Sequence, residues 1–138
     1  MKVAGNVDAA VSRYNEALRF NSGYAPAYFN LGVVFSESGR YNEALKFYNL
    51  AVERNPSYVE ALCNIGVIYK NTGNLEQAIL FYEKALACNP NFTIANTNLA
   101  IAYTDMGTKV KNEGNTELGI QYYKKSLVYN PRYPDAWY

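Results

Sequence analysis

Residues 25–58 read APAYFNLGVVFSESGRYNEALKFYNLAVERNPSY, and residues 59–92 repeat them in outline as VEALCNIGVIYKNTGNLEQAILFYEKALACNPNF. Laying the second stretch on the first superimposes Leu31 on Ile65, Gly32 on Gly66, Phe35 on Tyr69, Ala44 on Ala78, Tyr48 on Tyr82, Ala51 on Ala85 and Pro56 on Pro90. Small and large apolar residues returning at a period of about 34 predict a helix–turn–helix repeat. A single unit of this kind cannot bury its apolar face, so neighbouring units must stack into a continuous core. The predicted fold is all-α, a solenoid of helix pairs without strands.

Used as a ruler, the period divides the whole chain. Gly5-Asn6, Gly39-Arg40, Gly73-Asn74 and Gly114-Asn115 fall at equivalent places, where glycine permits a left-handed turn between two helices. Residues 1–24 are then the second helix of a truncated repeat, 25–58 and 59–92 are full repeats, 93–133 is a lengthened one, and 134–138, with Trp137, begin another. Helices are expected near 6–20, 25–38, 41–54, 59–72, 75–88, 93–112 and 116–129. Neither end has a polar capping helix, which predicts self-association through the uncapped ends.

Small residues at Gly32, Gly66 and Ala100, and at Ala10, Ala44 and Ala78, allow close helix approach. Aromatics at Phe35, Tyr69 and Tyr103, and at Tyr14, Tyr48, Tyr82 and Tyr123, fill the space between, so most of the 14 tyrosines are read as core. The lengthened repeat has its excess between Met106 and Asn115. Seven extra residues add nearly two turns and keep a helix face in register to within about 20°. Tyr103, Met106 and Val110 continue the apolar stripe, so an extended helix is expected although Gly107 weakens it by about 1 kcal/mol. Gly119, where other repeats have alanine, suggests looser packing.

Composition limits the function. The 138 residues are 49% hydrophobic and 18% charged, enough for one core. A formal net charge of +1 argues against a nucleic-acid partner, and Lys109, Lys111, Lys124 and Lys125 amount to a solvated helix face. No apolar run is long enough for a membrane span or a signal peptide, so no membrane partner is expected. Cys63 and Cys88 are too few for a disulfide framework and fit a reducing compartment. Asn91-Phe92-Thr93, formally a glycosylation acceptor, is read as an inter-repeat turn. The chain has no histidine, which removes Ser–His and Cys–His nucleophile pairs, and two isolated cysteines cannot build a zinc site. No catalytic, cofactor or metal constellation is found, and the chain is not expected to be an enzyme. Cys63 is expected on the groove-facing side of a first helix, where it can be exposed, and a lone thiol without a base is more often inert.

The residue pattern resembles the tetratricopeptide repeat family. That resemblance implies a right-handed superhelix whose first helices line a concave groove for a protein or peptide ligand. Asn30, Asn64 and Asn98 occupy the same position of three first helices. A side-chain amide can pair with both N–H and C=O of a passing peptide, so these residues are candidates for a peptide-binding ladder. The alternative is that they only cap hydrogen bonds between neighbouring helices. Glu37, Asn71 and Asp105, a turn and a half further along, and Lys70 are candidates for tuning ligand preference.

Within the family, the segments 25–34, 63–71 and above all 104–111 with Glu113-Gly114 and 122–125 are similar to the repeat region of SPINDLY-type protein O-glycosyltransferases. The ladder is also similar to that of O-GlcNAc transferases. The resemblance implies selection of nuclear and cytoplasmic proteins for O-GlcNAc or O-fucose transfer by a separate catalytic domain. A co-chaperone-like adaptor is the alternative. Chaperone-tail binders carry a carboxylate clamp, and here Phe29 and Val33 stand where that clamp needs Lys and Asn, with Lys70 the only basic residue on groove-facing positions of the full repeats.

Overall fold

The computed structural model describes residues 4–129, with side chains from Val7 onward. These residues form seven α-helices, α1 (Ala4–Phe20), α2 (Ala25–Glu37), α3 (Tyr41–Arg54), α4 (Val59–Asn71), α5 (Leu75–Cys88), α6 (Thr93–Asn112) and α7 (Thr116–Tyr129). No strand occurs among them. Each helix packs chiefly on its neighbour in sequence, and α4 also touches α6. Trp137 and the expected helix start at 134–138 lie outside the described residues.

Two kinds of turn alternate. Gly39, Gly73 and Gly114 adopt φ of 75°, 87° and 97°. They let Arg40, Asn74 and Asn115 donate their N–H groups back to Phe35, Tyr69 and Val110 at 2.9, 2.7 and 2.9 Å, which satisfies carbonyls at the helix ends. Asn74 and Asn115 then cap the following helices through Oδ1, accepting from Gln77 N at 3.3 Å and Leu118 N at 3.1 Å. The other turn is built by Asn21, Asn55 and Asn89, each accepting at 3.1 Å from the backbone N–H two residues on. These three asparagines share the repeat's 34-residue period, a signal carried by the sequence itself.

Gly5-Asn6 does not form the expected turn, because α1 runs through it from Ala4. A left-handed glycine is needed where a preceding helix must end, and among the described residues none precedes α1.

The core is two clusters joined through Val52, Tyr69 and Phe81. In each full repeat the second-helix tyrosine lies flat on a first-helix glycine. A Cβ at Gly32 would sit 2.4 Å from Tyr48 Cδ1, and one at Gly66 2.6 Å from Tyr82 Cε1. In the lengthened repeat the tyrosine is Tyr123, and the glycine it covers is Gly107, not Ala100. Thus α6, at 20 residues against 13 for α2 and α4, is one unbroken helix, and Gly107 is its packing site instead of a weak point. Gly119 likewise marks tighter packing, not looser: a Cβ there would meet the Gly107 carbonyl oxygen at 2.9 Å and Lys111 Cβ at 3.1 Å. Beside this contact, Ser126 Oγ donates to Ala100 O at 2.7 Å and lies 2.8 Å from Thr104 Oγ1, a fully buried polar link between α6 and α7.

Candidate functional site

The repeat sets Asn30 on α2, Asn64 on α4 and Asn98 on α6, all half-buried. Asn64 Nδ2 donates to the Tyr48 hydroxyl at 3.3 Å, reaching back to the second helix of the preceding repeat. Asn98 Nδ2 reaches back too, but to Cys63 Sγ on α4 at 3.6 Å. Asn30 makes no side-chain hydrogen bond to the described residues. The expected inter-helix role is therefore present in geometry for Asn64 and Asn98. One amide hydrogen each of Asn64 and Asn98 is spent between helices, while the second hydrogen and the carbonyl oxygen bond to no described residue.

Glu37 and Asn71 are exposed at the ends of α2 and α4, and Lys70 is half-buried on α4. Asp105 is half-buried but not equivalent to them. Measured from the glycine under the tyrosine, it stands two residues before Gly107, as Asn30 stands before Gly32 and Asn64 before Gly66. Asn98 and Asp105 are seven residues apart on one helix and share a face to within about 20°, separated by roughly 10 Å along the axis. The extension thus places a carboxylate after the third amide on that face. Phe29 is occupied structurally, its ring stacked on Tyr58 at 5.1 Å and tilted against Tyr48 at 5.7 Å.

The tyrosines expected as core also bring hydroxyls to this row, as Tyr48 does to Asn64. Burial raises the Tyr48 hydroxyl above its ordinary 10.0, against hydrogen bonds from Asn64 and Ser36. Tyr82 is raised further by burial, with Cys63 adding in the same sense. Its hydroxyl has no hydrogen-bond partner among the described residues. The signal was in the sequence, as a tyrosine followed 16 residues later by an asparagine at Tyr48–Asn64 and again at Tyr82–Asn98.

Cys63 is not exposed as expected: it is 2% accessible and packs in the core with Leu62, Tyr82 and Leu99. Burial raises its thiol pKa, so the reactive thiolate is scarcer than for a free cysteine. Cys88 is exposed. Iodoacetamide at pH 8 is expected to label Cys88 alone in the native chain and both cysteines after denaturation, read by peptide mass spectrometry; native labelling of Cys63 at a comparable rate would contradict its burial. Of the four lysines of the lengthened repeat, Lys109 lies near Glu76 at 3.6 Å and Lys125 over the Tyr103 ring at 5.5 Å. No cluster of metal-ligating side chains occurs among the described residues, and no helix there is long and apolar enough to cross a membrane.

Models of the tetratricopeptide repeat match residues 25–58, 59–92 and 81–121, and a further model described as TPR repeat matches 4–39. The chain belongs to the tetratricopeptide repeat family. Curated relatives of this tetratricopeptide chain include proteins from Oryza sativa subsp. japonica and Hordeum vulgare, each named as a probable UDP-N-acetylglucosamine–peptide N-acetylglucosaminyltransferase SPINDLY. They are 54% and 53% identical over 42 residues, which is 30% of this chain and 4% of theirs. Among solved structures, MamA aligns with a TM-score of 0.70 at 22% identity, over 96% of this chain and 74% of that one. YrrB, described as a TPR protein with an unusual peptide-binding site, aligns with 0.64 at 18% identity, over 96% and 82%. These likenesses establish the solenoid fold. As a tetratricopeptide stack, the chain is a protein-interaction module.

Proposed function

We propose that the chain binds an extended polypeptide along the row Asn30, Asn64, Asn98, and serves as part of the substrate-selecting repeat region of a protein O-glycosyltransferase. The stretch matching the SPINDLY proteins at 54% identity carries the transferase reading. The amide groups left over on Asn64 and Asn98 support backbone capture, since each offers a donor and an acceptor to a peptide bond. YrrB, with its peptide-binding site, lends support from the same fold. Glu37, Lys70, Asn71 and Asp105 bias the choice among ligands. The repeat division is 1–24, 25–58, 59–92, 93–133 and 134–138. Transfer of O-GlcNAc or O-fucose belongs to a separate domain, and a cytoplasmic or nuclear location goes with it.

Reading the gene onward from the codon for Tyr138 tests the transferase part. A downstream glycosyltransferase domain is expected. An open reading frame that ends without one leaves the peptide-binding module and removes the enzyme from the proposal.

A further inference from the structure

Three second-helix tyrosines lie on first-helix glycines in the same way, but their hydroxyls meet three different fates. Tyr48 receives the Asn64 amide at 3.3 Å. Tyr123 shares a hydrogen bond with Thr108 Oγ1 at 3.0 Å. Tyr82 is 0% exposed, and its hydroxyl is the buried side-chain polar atom left without a partner among the described residues. The repeat carries Asn98 to the place that Asn64 takes beside Tyr48, yet Asn98 bonds to Cys63 Sγ at 3.6 Å. One substitution underlies this. Cys63 stands where the preceding repeat has Phe29, and a sulfur acceptor replaces an apolar ring. An unpaired buried hydroxyl raises the free energy of the unliganded fold, and an acceptor that reaches it recovers that energy on binding.

We infer that the Tyr82 hydroxyl and the Asn98 side chain form a subsite for one peptide bond of an extended ligand, with Tyr82 donating to the ligand's backbone carbonyl. The inference rests on the peptide-binding reading above. The chemistry of the pair selects the ligand group. A neutral O–H donor beside a carboxamide matches a peptide bond, which offers an acceptor oxygen and an N–H donor side by side. Thiol sulfur is a weak acceptor, so Asn98 gives up little when it turns off Cys63 to admit the carbonyl and to accept the ligand's N–H through Oδ1. This subsite fixes the register of the ligand. Its neighbour at Tyr48 differs, because Asn64 already donates to that hydroxyl oxygen at 3.3 Å and is itself held there.

The test uses dodecapeptides selected from a random phage library on the whole chain and remade synthetically, each with a thioamide placed at one backbone position in turn. Tyr82→Phe should weaken every selected peptide by about three- to tenfold with an unchanged or higher melting temperature, because no hydrogen bond in the free chain is lost. A thioamide at one position should weaken binding to the native chain by a similar factor and cost nothing further in Tyr82→Phe. Tyr48→Phe is the control, expected to melt lower and bind within about twofold. If Tyr82→Phe binds normally while changing Asn30, Asn64 and Asn98 together abolishes binding, the hydroxyl serves only a water and the subsite is overturned while the groove stands. If neither change affects affinity, the groove reading itself fails. A clearly lower melting temperature for Tyr82→Phe would mean the hydroxyl is already bonded, which also overturns the inference.

Discussion

Gly107→Ala is expected to destabilise the chain by about 3 kcal/mol and lower the melting temperature by roughly 10 °C, more than the same change at Gly32 or Gly66. All three substitutions gain about 1 kcal/mol of helix propensity, so the difference must come from what the new methyl meets. At Gly32 and Gly66 the three nearest atoms all belong to the ring of Tyr48 or Tyr82, and a ring can tilt away. At Gly107 it meets the Tyr123 ring at 2.7 Å and the Gly119 backbone oxygen at 2.9 Å. A backbone oxygen inside α7 can yield only if the two helices separate, and that opens the Thr104–Ser126 link as well. Thermal unfolding of the three alanine variants side by side is the measurement. A melting point for Gly107→Ala within about 2 °C of the native chain would mean that α6 and α7 do not approach this closely.

Changing Asn30, Asn64 and Asn98 together to Ala should weaken peptide binding by one to three orders of magnitude, from about 0.5–1.5 kcal/mol for each neutral hydrogen bond. If the ladder holds backbone, the loss is similar for ligands of unrelated sequence. Exposed side chains usually matter by under about half a kcal/mol, which by itself predicts nearly intact stability. The hydrogen bonds change that expectation. Asn64→Ala strips a donor from the Tyr48 hydroxyl and should lower stability by about 1 kcal/mol, whereas Asn30→Ala, with no such bond, should leave it unchanged. Asn30→Ala therefore separates the two roles. Calorimetric titration of each single variant, paired with its melting curve, decides between them. Retained affinity in a triple variant that melts several degrees lower would make the asparagines structural. Replacing Asp105 with Asn should leave backbone capture intact and shift preference away from ligands with a basic residue near that rung.

The sequence by itself determined the helix pairs, because period, glycine turns and apolar stripes are local and repeat in register. Six of the seven helices have both ends within one residue of those expected from that register, and α6 is continuous through Gly107 as its apolar spacing requires. The same reasoning located the asparagine row, since a helix fixes which residues share a face. Tertiary structure alone decided where the seven extra residues of α6 act. Two glycines, Gly107 and Gly119, set the backbone contact between α6 and α7, and that contact gives α6 two residues that correspond to Asn64: Asn98, counted from the tyrosine of the preceding repeat, and Asp105, counted from the glycine under its own. It alone decided that Cys63 is buried and that Asn98 turns to it, leaving the Tyr82 hydroxyl without a partner among the described residues. The physical reason is that a repeat pattern specifies each position only up to its neighbours in the next repeat. Hydrogen-bond partners and close approaches across the stack depend on the residue found there, and a cysteine in place of a phenylalanine changes them without disturbing the period.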